Sequence, residues 1–274
     1  MSNYLLAVGK TTHIDRILKI FEKSNKYSSE ISVKKVSDCF SIMSISKDEL
    51  LRTDLDSVLF FKGWFQDHET KSIVLGGNGF QKWKKDIEKE PLTTGKEFEG
   101  AYVSMNFQHG TLCVRNDVFS YLPVLYFSNK ELFVCSDSMY IISKIRKSLG
   151  MPCKLNKNVM HSRAWTHGLA CAVMSNETQI CGVKLLSPGK RIELNINKRF
   201  LSSRKTLQTK NYVKTTNLKR AFAMKFESYE QAIRDATTKL AQSTVSLLHL
   251  DDVLIKFGLS GGLDSRVILA AILQ

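Results

Sequence analysis

The sequence predicts an α+β protein in which antiparallel sheets with helices are followed by the beginning of a parallel α/β domain. Short apolar runs separated by turn residues fill residues 99–137, as in paired antiparallel strands. An apolar helical period then occupies residues 229–247. A short apolar run, a Gly-rich loop and a second apolar helix follow it, which is how a parallel α/β unit begins.

The charge of the chain is basic and locally concentrated. The 274 residues carry a net charge of +14. Between Leu194 and Phe226 there are many Lys and Arg residues and no Asp or Glu, so nucleic acid has to be considered as a partner. No aromatic residues interleave with these charges in a recognition pattern, and we therefore expect a solvated linker rather than nucleic-acid binding.

Cysteine usage and hydropathy indicate a reduced, cytoplasmic protein that does not contact a membrane. The six cysteines form no Cys-x-x-Cys pair, so a zinc site is not expected. Cys113 and Cys135 fall inside apolar runs, where free cysteine behaves as a small buried hydrophobe. The apolar run at residues 4–8 is too short for a signal peptide, and no stretch of eighteen apolar residues occurs.

Turn residues divide the stretch from residue 101 to residue 135 into predicted β-strands. Four strands are predicted, at residues 101–107, 111–114, 124–127 and 132–135. They form an antiparallel meander, with tight hairpins at 108–110 and 128–130 and a longer turn from Asn116 to Pro123.

Two helices and a strand are predicted next. Residues 138–149 form a helix with Asp137 or Ser138 as the N-cap, and residues 158–170 form a second helix, before a strand at 191–196. His161 and His167 lie six residues apart on the second helix and point to different faces, so they do not share a metal.

The helical period at residues 229–247 sets the domain boundary. We expect an amino-terminal domain at residues 1–200, a basic linker at 201–225 and the start of a parallel α/β domain at 226–274.

The loop Ser260-Gly261-Gly262-Leu263-Asp264-Ser265 is suited to a pyrophosphate or triphosphate group. Two glycines let the backbone N–H groups turn inward, and the helix behind them adds the positive end of its dipole. The two serines add hydroxyl donors, and Asp264 is suited to a magnesium ion that bridges phosphate oxygens.

The same loop resembles the pyrophosphate-binding loop (PP-loop) of ATP pyrophosphatases, which split ATP into AMP and pyrophosphate while they activate a carboxylate. The resemblance implies ATP and magnesium as cofactors. It assigns the phosphates to Ser260, Gly261, Gly262, Asp264 and Ser265. Leu259 and Val253 would then lie near the adenine as an apolar wall, or they are ordinary strand core.

The chain as a whole resembles asparagine-synthetase-type proteins. Their amino-terminal glutaminase domain has the N-terminal-nucleophile (Ntn) amidotransferase fold, a sandwich of antiparallel sheets, and the synthetase domain begins with the pyrophosphate loop. Four stretches carry this resemblance: Phe98-Glu99-Gly100-Ala101-Tyr102, Arg115-Asn116-Asp117 with Pro123-Val124-Leu125-Tyr126-Phe127, Leu132-Phe133-Val134-Cys135-Ser136-Asp137, and Val183-Lys184-Leu185-Leu186-Ser187-Pro188-Gly189.

Two positions depart from the family in its glutaminase part. Glutamine-hydrolysing members have a cysteine nucleophile after the initiator Met, and this chain has Ser2. Removal of the Met would expose Ser2 as a candidate N-terminal nucleophile, but a hydroxyl is a far weaker nucleophile than a thiolate. We therefore expect the glutaminase to be inactive. The run Gly76-Gly77-Asn78-Gly79 corresponds to the family's substrate loop or is a hairpin turn, and Phe80 stands where a carboxylate is expected.

The resemblance implies an ATP-dependent amide ligase that adenylates a carboxylate and transfers it to ammonia or an amine. Because only residues 263–274 follow the start of the loop, we expect this chain alone not to catalyse ligation. It is the amino-terminal part of such a ligase or, alternatively, a truncated or degenerate non-catalytic protein. Assembly into a homodimer is compatible with both interpretations. In either case the apolar faces of the last two helices are expected to be exposed.

Overall fold

The protein has an α+β fold built on antiparallel sheets, as its sequence predicts. Within the described residues every strand pair is antiparallel. The computed structural model describes residues 4–25, 31–38, 40–45, 50–54, 57–67, 70, 72–89, 100–108, 110–117, 119–129, 131–165, 176–188, 190–196, 213–217, 226–248, 258–259 and 262–273.

The first sheet has six strands and contains the strand nearest the amino terminus at its centre. Its order is β11-β9-β10-β1-β3-β2. The strands are β1 (Tyr4–Gly9), β2 (Ser32–Ser37), β3 (Phe40–Ser44), β9 (Leu125–Ser128), β10 (Leu132–Ser136) and β11 (Lys184–Leu185). All six residues of β1 are buried, because β1 is covered on both of its faces.

The second sheet has seven strands. Its order is β13-β12-β8-β7-β5-β4, and β6 also pairs with β5. The strands are β4 (Leu50–Asp54), β5 (Ser57–Gln66), β6 (Ile73–Leu75), β7 (Gly100–Gln108), β8 (Thr111–Asn116), β12 (Lys190–Asn195) and β13 (Val213–Asn217). The edge strand β13 lies inside the stretch that the sequence predicts as a basic linker, so the sheet extends into that stretch.

The two sheets pack face to face, with helices on both outer faces. Alternate residues of both sheets, such as Leu6 of β1 and Phe60 of β5, form one core cluster between them. The other face of the first sheet packs against α1 (Thr11–Ser24) and α3 (Met139–Ser148). The other face of the second sheet packs against Phe80 and Trp83 of α2 (Gly76–Lys89). The result is a four-layered sandwich.

The predicted meander is wrong in one respect. Its two hairpins exist, β7 with β8 and β9 with β10, but they belong to different sheets. The turn between them carries the chain across the sandwich. The Asp117 carboxylate stabilises this turn by accepting hydrogen bonds from the backbone N–H groups of Phe119, Tyr121 and Leu122.

The hairpin interpretation of Gly76-Gly77-Asn78-Gly79 is also wrong. These residues form the first turn of α2, directly after β6. Gly76 has φ +56°, a left-handed conformation that glycine adopts more readily than other residues, and this conformation takes the chain from the strand into the helix. Phe80 then lies one turn into the helix and is buried against the second sheet.

The predicted caps and ends of α3 are confirmed. The Ser138 hydroxyl accepts a hydrogen bond from the backbone N–H of Ile141 at 3.4 Å, and Gly150, with φ +69°, follows the end of the helix. The next helix, α4 (Lys157–Trp165), covers the described part of the predicted 158–170 helix.

The last two helices are α5 (Tyr229–Leu248) and α6 (Leu263–Leu273). They contact each other, and α5 also contacts β6. The predicted exposure of their apolar faces is confirmed: Tyr229 and Leu273 are each 77% exposed, and Ala271 is the buried residue of α6. The predicted strand between them lies outside the described residues, and the domain boundary near residues 200–225 stays a prediction.

Candidate phosphate loop and its surroundings

The candidate phosphate loop leads directly into helix α6. The helix begins at Leu263, immediately after Gly262, so the last three residues of the Ser-Gly-Gly-Leu-Asp-Ser motif lie in its first turn. The Ser265 hydroxyl donates a hydrogen bond to the Gly262 carbonyl oxygen at 3.1 Å. Ser260, Gly261 and Val253, which the sequence also assigns to this site, lie outside the described residues.

The first turn of α6 is open to solvent. Asp264 is exposed in this turn, where a carboxylate also interacts favourably with the helix dipole. The backbone N–H groups of a first turn have no carbonyl partner within their helix. An exposed carboxylate beside such N–H groups suits a phosphate that carries a magnesium ion. Leu259, the proposed adenine contact, is 60% exposed just before the loop.

Helix α5 connects this loop to the sandwich. The side chains of Thr244 and Ser246 are buried near its carboxyl end, whereas the apolar side chains of Ile233 and Leu240 are exposed. The Gln66 amide nitrogen at the end of β5 donates a hydrogen bond to the Ser246 hydroxyl at 3.4 Å. The buried side chains near the carboxyl end of this helix are therefore polar, whereas much of the apolar stripe that its sequence displays is exposed.

The amino-terminal strand begins in a buried polar corner. The Tyr4 hydroxyl donates to the Pro123 carbonyl oxygen at 2.8 Å, and the Ser136 hydroxyl donates to the Tyr4 carbonyl oxygen at 3.0 Å. Burial raises the pKa of Tyr4 well above its usual range, and the nearby Cys135 and Asp137 raise it further. Ser2, the candidate nucleophile two residues earlier, lies outside the described residues.

Residues 76–79, which resemble the family's substrate loop, are not surrounded by catalytic groups within the described structure. Asn78 is exposed in the first turn of α2, and Phe80 is buried in the core beneath that helix. A buried aromatic ring cannot take the place of a carboxylate that would hold an amine.

The remaining candidates that the structure describes are scattered histidine and cysteine residues. In the part of the chain that the structure describes, no group of three or more His, Cys, Asp or Glu side chains could hold a metal ion. His161 is exposed on α4, and His167 lies outside the described residues. Cys135 is buried, as predicted, and burial raises the pKa of its thiol. Cys113 is partly buried, and burial likewise raises its pKa.

No helix among the described residues is long and apolar enough to cross a membrane.

Sequence reasoning missed the residues that join the helical pair to the sandwich. Gln66 and Ser246 are 180 positions apart in the chain. The adjacent Asp67 carboxylate forms a salt bridge with Lys82 of α2 at 3.3 Å and accepts a hydrogen bond from the Thr70 hydroxyl. No local sequence pattern predicts either contact, because the partners are ordinary polar residues that only the tertiary fold brings together.

The fold of this chain has distant likenesses among solved structures, and two of them are described below. The first is glutamine phosphoribosylpyrophosphate amidotransferase from B. subtilis complexed with ADP and GMP, with a TM-score of 0.45, 9% identity, and coverage of 80% of this chain and 49% of that chain. The second is an allosteric regulatory enzyme of purine biosynthesis, with a TM-score of 0.41, 10% identity, and coverage of 80% and 43%. The chain thus spans about half the length of these structures or less. No family profile and no curated protein matches the sequence.

Proposed function

We propose that this chain is the amino-terminal part of an asparagine-synthetase-like, ATP-dependent amide ligase. The observation that carries the proposal is the Ser-Gly-Gly-Leu-Asp-Ser sequence at the start of α6, with Asp264 exposed in the first turn. This arrangement supplies N–H donors, hydroxyl groups and a carboxylate at one helix end, which together fit a magnesium-bound pyrophosphate group.

The proposed reaction has two steps. An oxygen of the substrate carboxylate attacks the α-phosphorus of ATP, the α–β phosphoanhydride bond breaks, and pyrophosphate leaves. The nitrogen of ammonia or an amine then attacks the acyl carbon, AMP leaves, and the nitrogen loses a proton to solvent or a base. Ser260, Gly261, Gly262 and Ser265 would bind the departing phosphates, and Asp264 would hold a magnesium ion, which would offset the charge of these phosphates.

The nitrogen donor in this proposal is ammonia or a substrate amine. The chain has Ser2 where glutamine-hydrolysing relatives have cysteine, and a hydroxyl is a weaker nucleophile than a thiolate. The sandwich then serves as a scaffold for the ligase and does not release ammonia from glutamine. The proposal places the protein in the cytoplasm, where ATP is abundant.

Nucleotide binding to this chain tests the proposal without knowledge of the acid substrate. Isothermal titration with MgATP and magnesium pyrophosphate should show binding of both, and AMP should bind more weakly because it lacks the β- and γ-phosphates. Asp264→Asn should weaken MgATP binding about tenfold, which corresponds to about 1.4 kcal/mol. EDTA should have a similar effect on the unmodified chain.

Asp235→Asn is the matched control, because Asp235 is an exposed carboxylate on the neighbouring helix α5. It should leave MgATP affinity unchanged. Equal loss in both variants would indicate a general charge effect, and the absence of MgATP binding to the unmodified chain would refute the proposal. The latter result would favour a non-catalytic domain, a reading that the exposed apolar faces of α5 and α6 also support.

A further inference from the structure

We infer that the outer surface of the helices α1 and α3 binds a single-stranded nucleic acid through its phosphate groups and a stacked base. We call this surface the basic face, and its members are exposed side chains of the two helices: Arg16, Lys19, Lys23, Tyr140, Lys144 and Lys147. This inference does not depend on the proposed ligase activity.

The charge of the basic face has its origin in an acid-free part of the sequence. Residues 138–176 contain six Lys or Arg residues and no Asp or Glu. Helix α3 therefore brings only positive charge to the surface. Helix α1 carries the acidic residues Asp15 and Glu22 among its basic ones, and its three basic members of the face are spaced three and four residues apart, which places them along one side of the helix.

The two helices hold these side chains on one continuous surface. Helix α1 packs against α3, and the Arg16 guanidinium donates a hydrogen bond to the Ser148 carbonyl oxygen at the end of α3, at 3.3 Å. The segment after α3 extends the surface, since the Cys153 thiol donates to the Ser143 carbonyl oxygen at 3.6 Å and the next residue, Lys154, is exposed. Because packed helices lie about 8–10 Å apart, the basic side chains form two rows on that scale.

The fold makes little use of these charges. Among the described residues, no ion pair joins a basic side chain of this face to an acidic group. Lys23 and Lys147 lie in the last turns of their helices, where positive charge interacts favourably with the helix dipole, but Lys19 and Lys144 lie earlier and have no such role. Like charges on one surface repel one another, and a polyanionic ligand would remove that repulsion.

The aromatic member of the face favours a nucleic acid over other polyanions. Tyr140 is 55% exposed, and the Lys144 ammonium lies 4.3 Å from the centroid of its ring. A positively charged surface with an aromatic ring on which a base stacks is the usual arrangement for single strands, whose bases are free to stack on protein. A membrane-binding helix inserts its apolar side into the lipid, whereas the apolar sides of α1 and α3 are buried in the core.

Fluorescence anisotropy of the full chain with a labelled single strand of about 15 nucleotides, a length that covers typical site sizes, tests this inference. Affinity should fall with salt concentration, with a log–log slope of about −0.7 for each phosphate contacted. Lys144→Gln combined with Lys147→Gln should reduce that slope by about 1.4 and weaken binding. Tyr140→Ala should weaken binding about tenfold and leave the slope unchanged, because the ring carries no charge.

Lys85→Gln combined with Lys239→Gln is the matched control, since it removes two exposed lysines from α2 and α5. It should have a much smaller effect on affinity and slope. Equal effects of the two double variants would indicate a general response to net charge and refute the assignment, and unchanged affinity of Tyr140→Ala would refute the stacked base.

Two further outcomes would overturn the inference. Unchanged binding in Lys144→Gln/Lys147→Gln would mean that the strand binds elsewhere in the chain, such as at the basic stretch between Leu194 and Phe226. Binding of the chain to phosphatidylserine vesicles without binding to the oligonucleotide would identify a membrane as the partner.

Discussion

Ser120 has φ +56°, in the left-handed region, at the turn that carries the chain from one sheet to the other. Among the described residues, Ser120 is the one non-glycine residue with a positive φ. Its hydroxyl accepts a hydrogen bond from the Asn116 side-chain amide at 2.7 Å, and Asn116 is itself buried. This hydrogen bond offsets part of the conformational cost of about 1–2 kcal/mol that a side chain has in the left-handed region.

Replacement of Ser120 should separate these two effects. Ser120→Ala loses this hydrogen bond and the weaker one that the Ser120 hydroxyl donates to the Leu186 carbonyl oxygen at 3.4 Å, and it keeps the strain. We therefore expect it to lower the free energy of unfolding by about 1–2 kcal/mol. Ser120→Gly loses the same two hydrogen bonds but relieves the strain, and it should be more stable than Ser120→Ala by about 1 kcal/mol. Urea unfolding of the three proteins measures both differences. Equal stability of the two variants would mean that the left-handed conformation is not retained.

The sequence predicts the role of a residue best where its side chain forms hydrogen bonds with backbone groups only a few positions away. Ser138 caps α3, and Asp117 caps the long turn, because short polar side chains reach only a few residues along the chain. Asp264 in the first turn of a helix is another local feature that the motif predicts. The contact of Gln66 with Ser246 could not be predicted, since the two residues are 180 positions apart.

At the scale of elements, the pairing of β5 with β7 depends on two glycines that face each other diagonally across the ladder. Gly63 has φ +120°, and a Cβ there would overlap the Ala101 carbonyl oxygen and the Tyr102 Cα. Gly100 is restricted in the same way, by the Trp64 carbonyl oxygen and the Phe65 Cα. The two strands approach too closely at this point for side chains.

Gly63→Ala should therefore lower the free energy of unfolding by about 3 kcal/mol or more, because the substitution adds a backbone clash to an unfavourable φ. Gly150→Ala is the control. Gly150 also has positive φ, at +69°, but a Cβ there would meet nothing within 4 Å, so only the conformational cost of about 1 kcal/mol is expected. Thermal or urea unfolding compares the two variants, and a similar loss in both would exclude the close approach as the cause.

Element types were more predictable than the partners of those elements. The apolar runs around Val103 and Val134 predict strands correctly, because alternating or continuous apolar patterns report burial directly. The assignment of these strands to one meander failed, since the turn from Asn116 to Pro123 crosses between sheets and no local signal distinguishes that path. The hairpin prediction for residues 76–79 was wrong for a related reason, because glycine permits a hairpin turn and a strand-to-helix junction equally.

At the scale of the whole molecule, the hydrophobic core belongs almost entirely to the sandwich. The buried members of all three core clusters lie between Tyr4 and Ile196. The helices α5 and α6 contribute Ala271 to the buried apolar residues, and among the described residues α5 meets the sandwich at β6 and at the polar contact between Ser246 and Gln66. A small polar contact between two parts of a chain resembles a transient interface and adds little stability.

A protein that ends at residue 225 should consequently fold by itself, because it keeps the three core clusters and all thirteen described strands. The loss of α5 and α6 removes the buried hydrogen bond between Gln66 and Ser246 and little apolar area from the described residues, so we expect a decrease of about 1 kcal/mol in stability. For a chain of this size that corresponds to a decrease of about 2–4 °C in Tm. Circular dichroism in the near ultraviolet and a thermal melt would measure this, with the full chain as reference. A shortened protein without a cooperative transition would show that the helical pair is an integral part of the fold, and the sandwich could then not be treated as a separate scaffold for the proposed ligase.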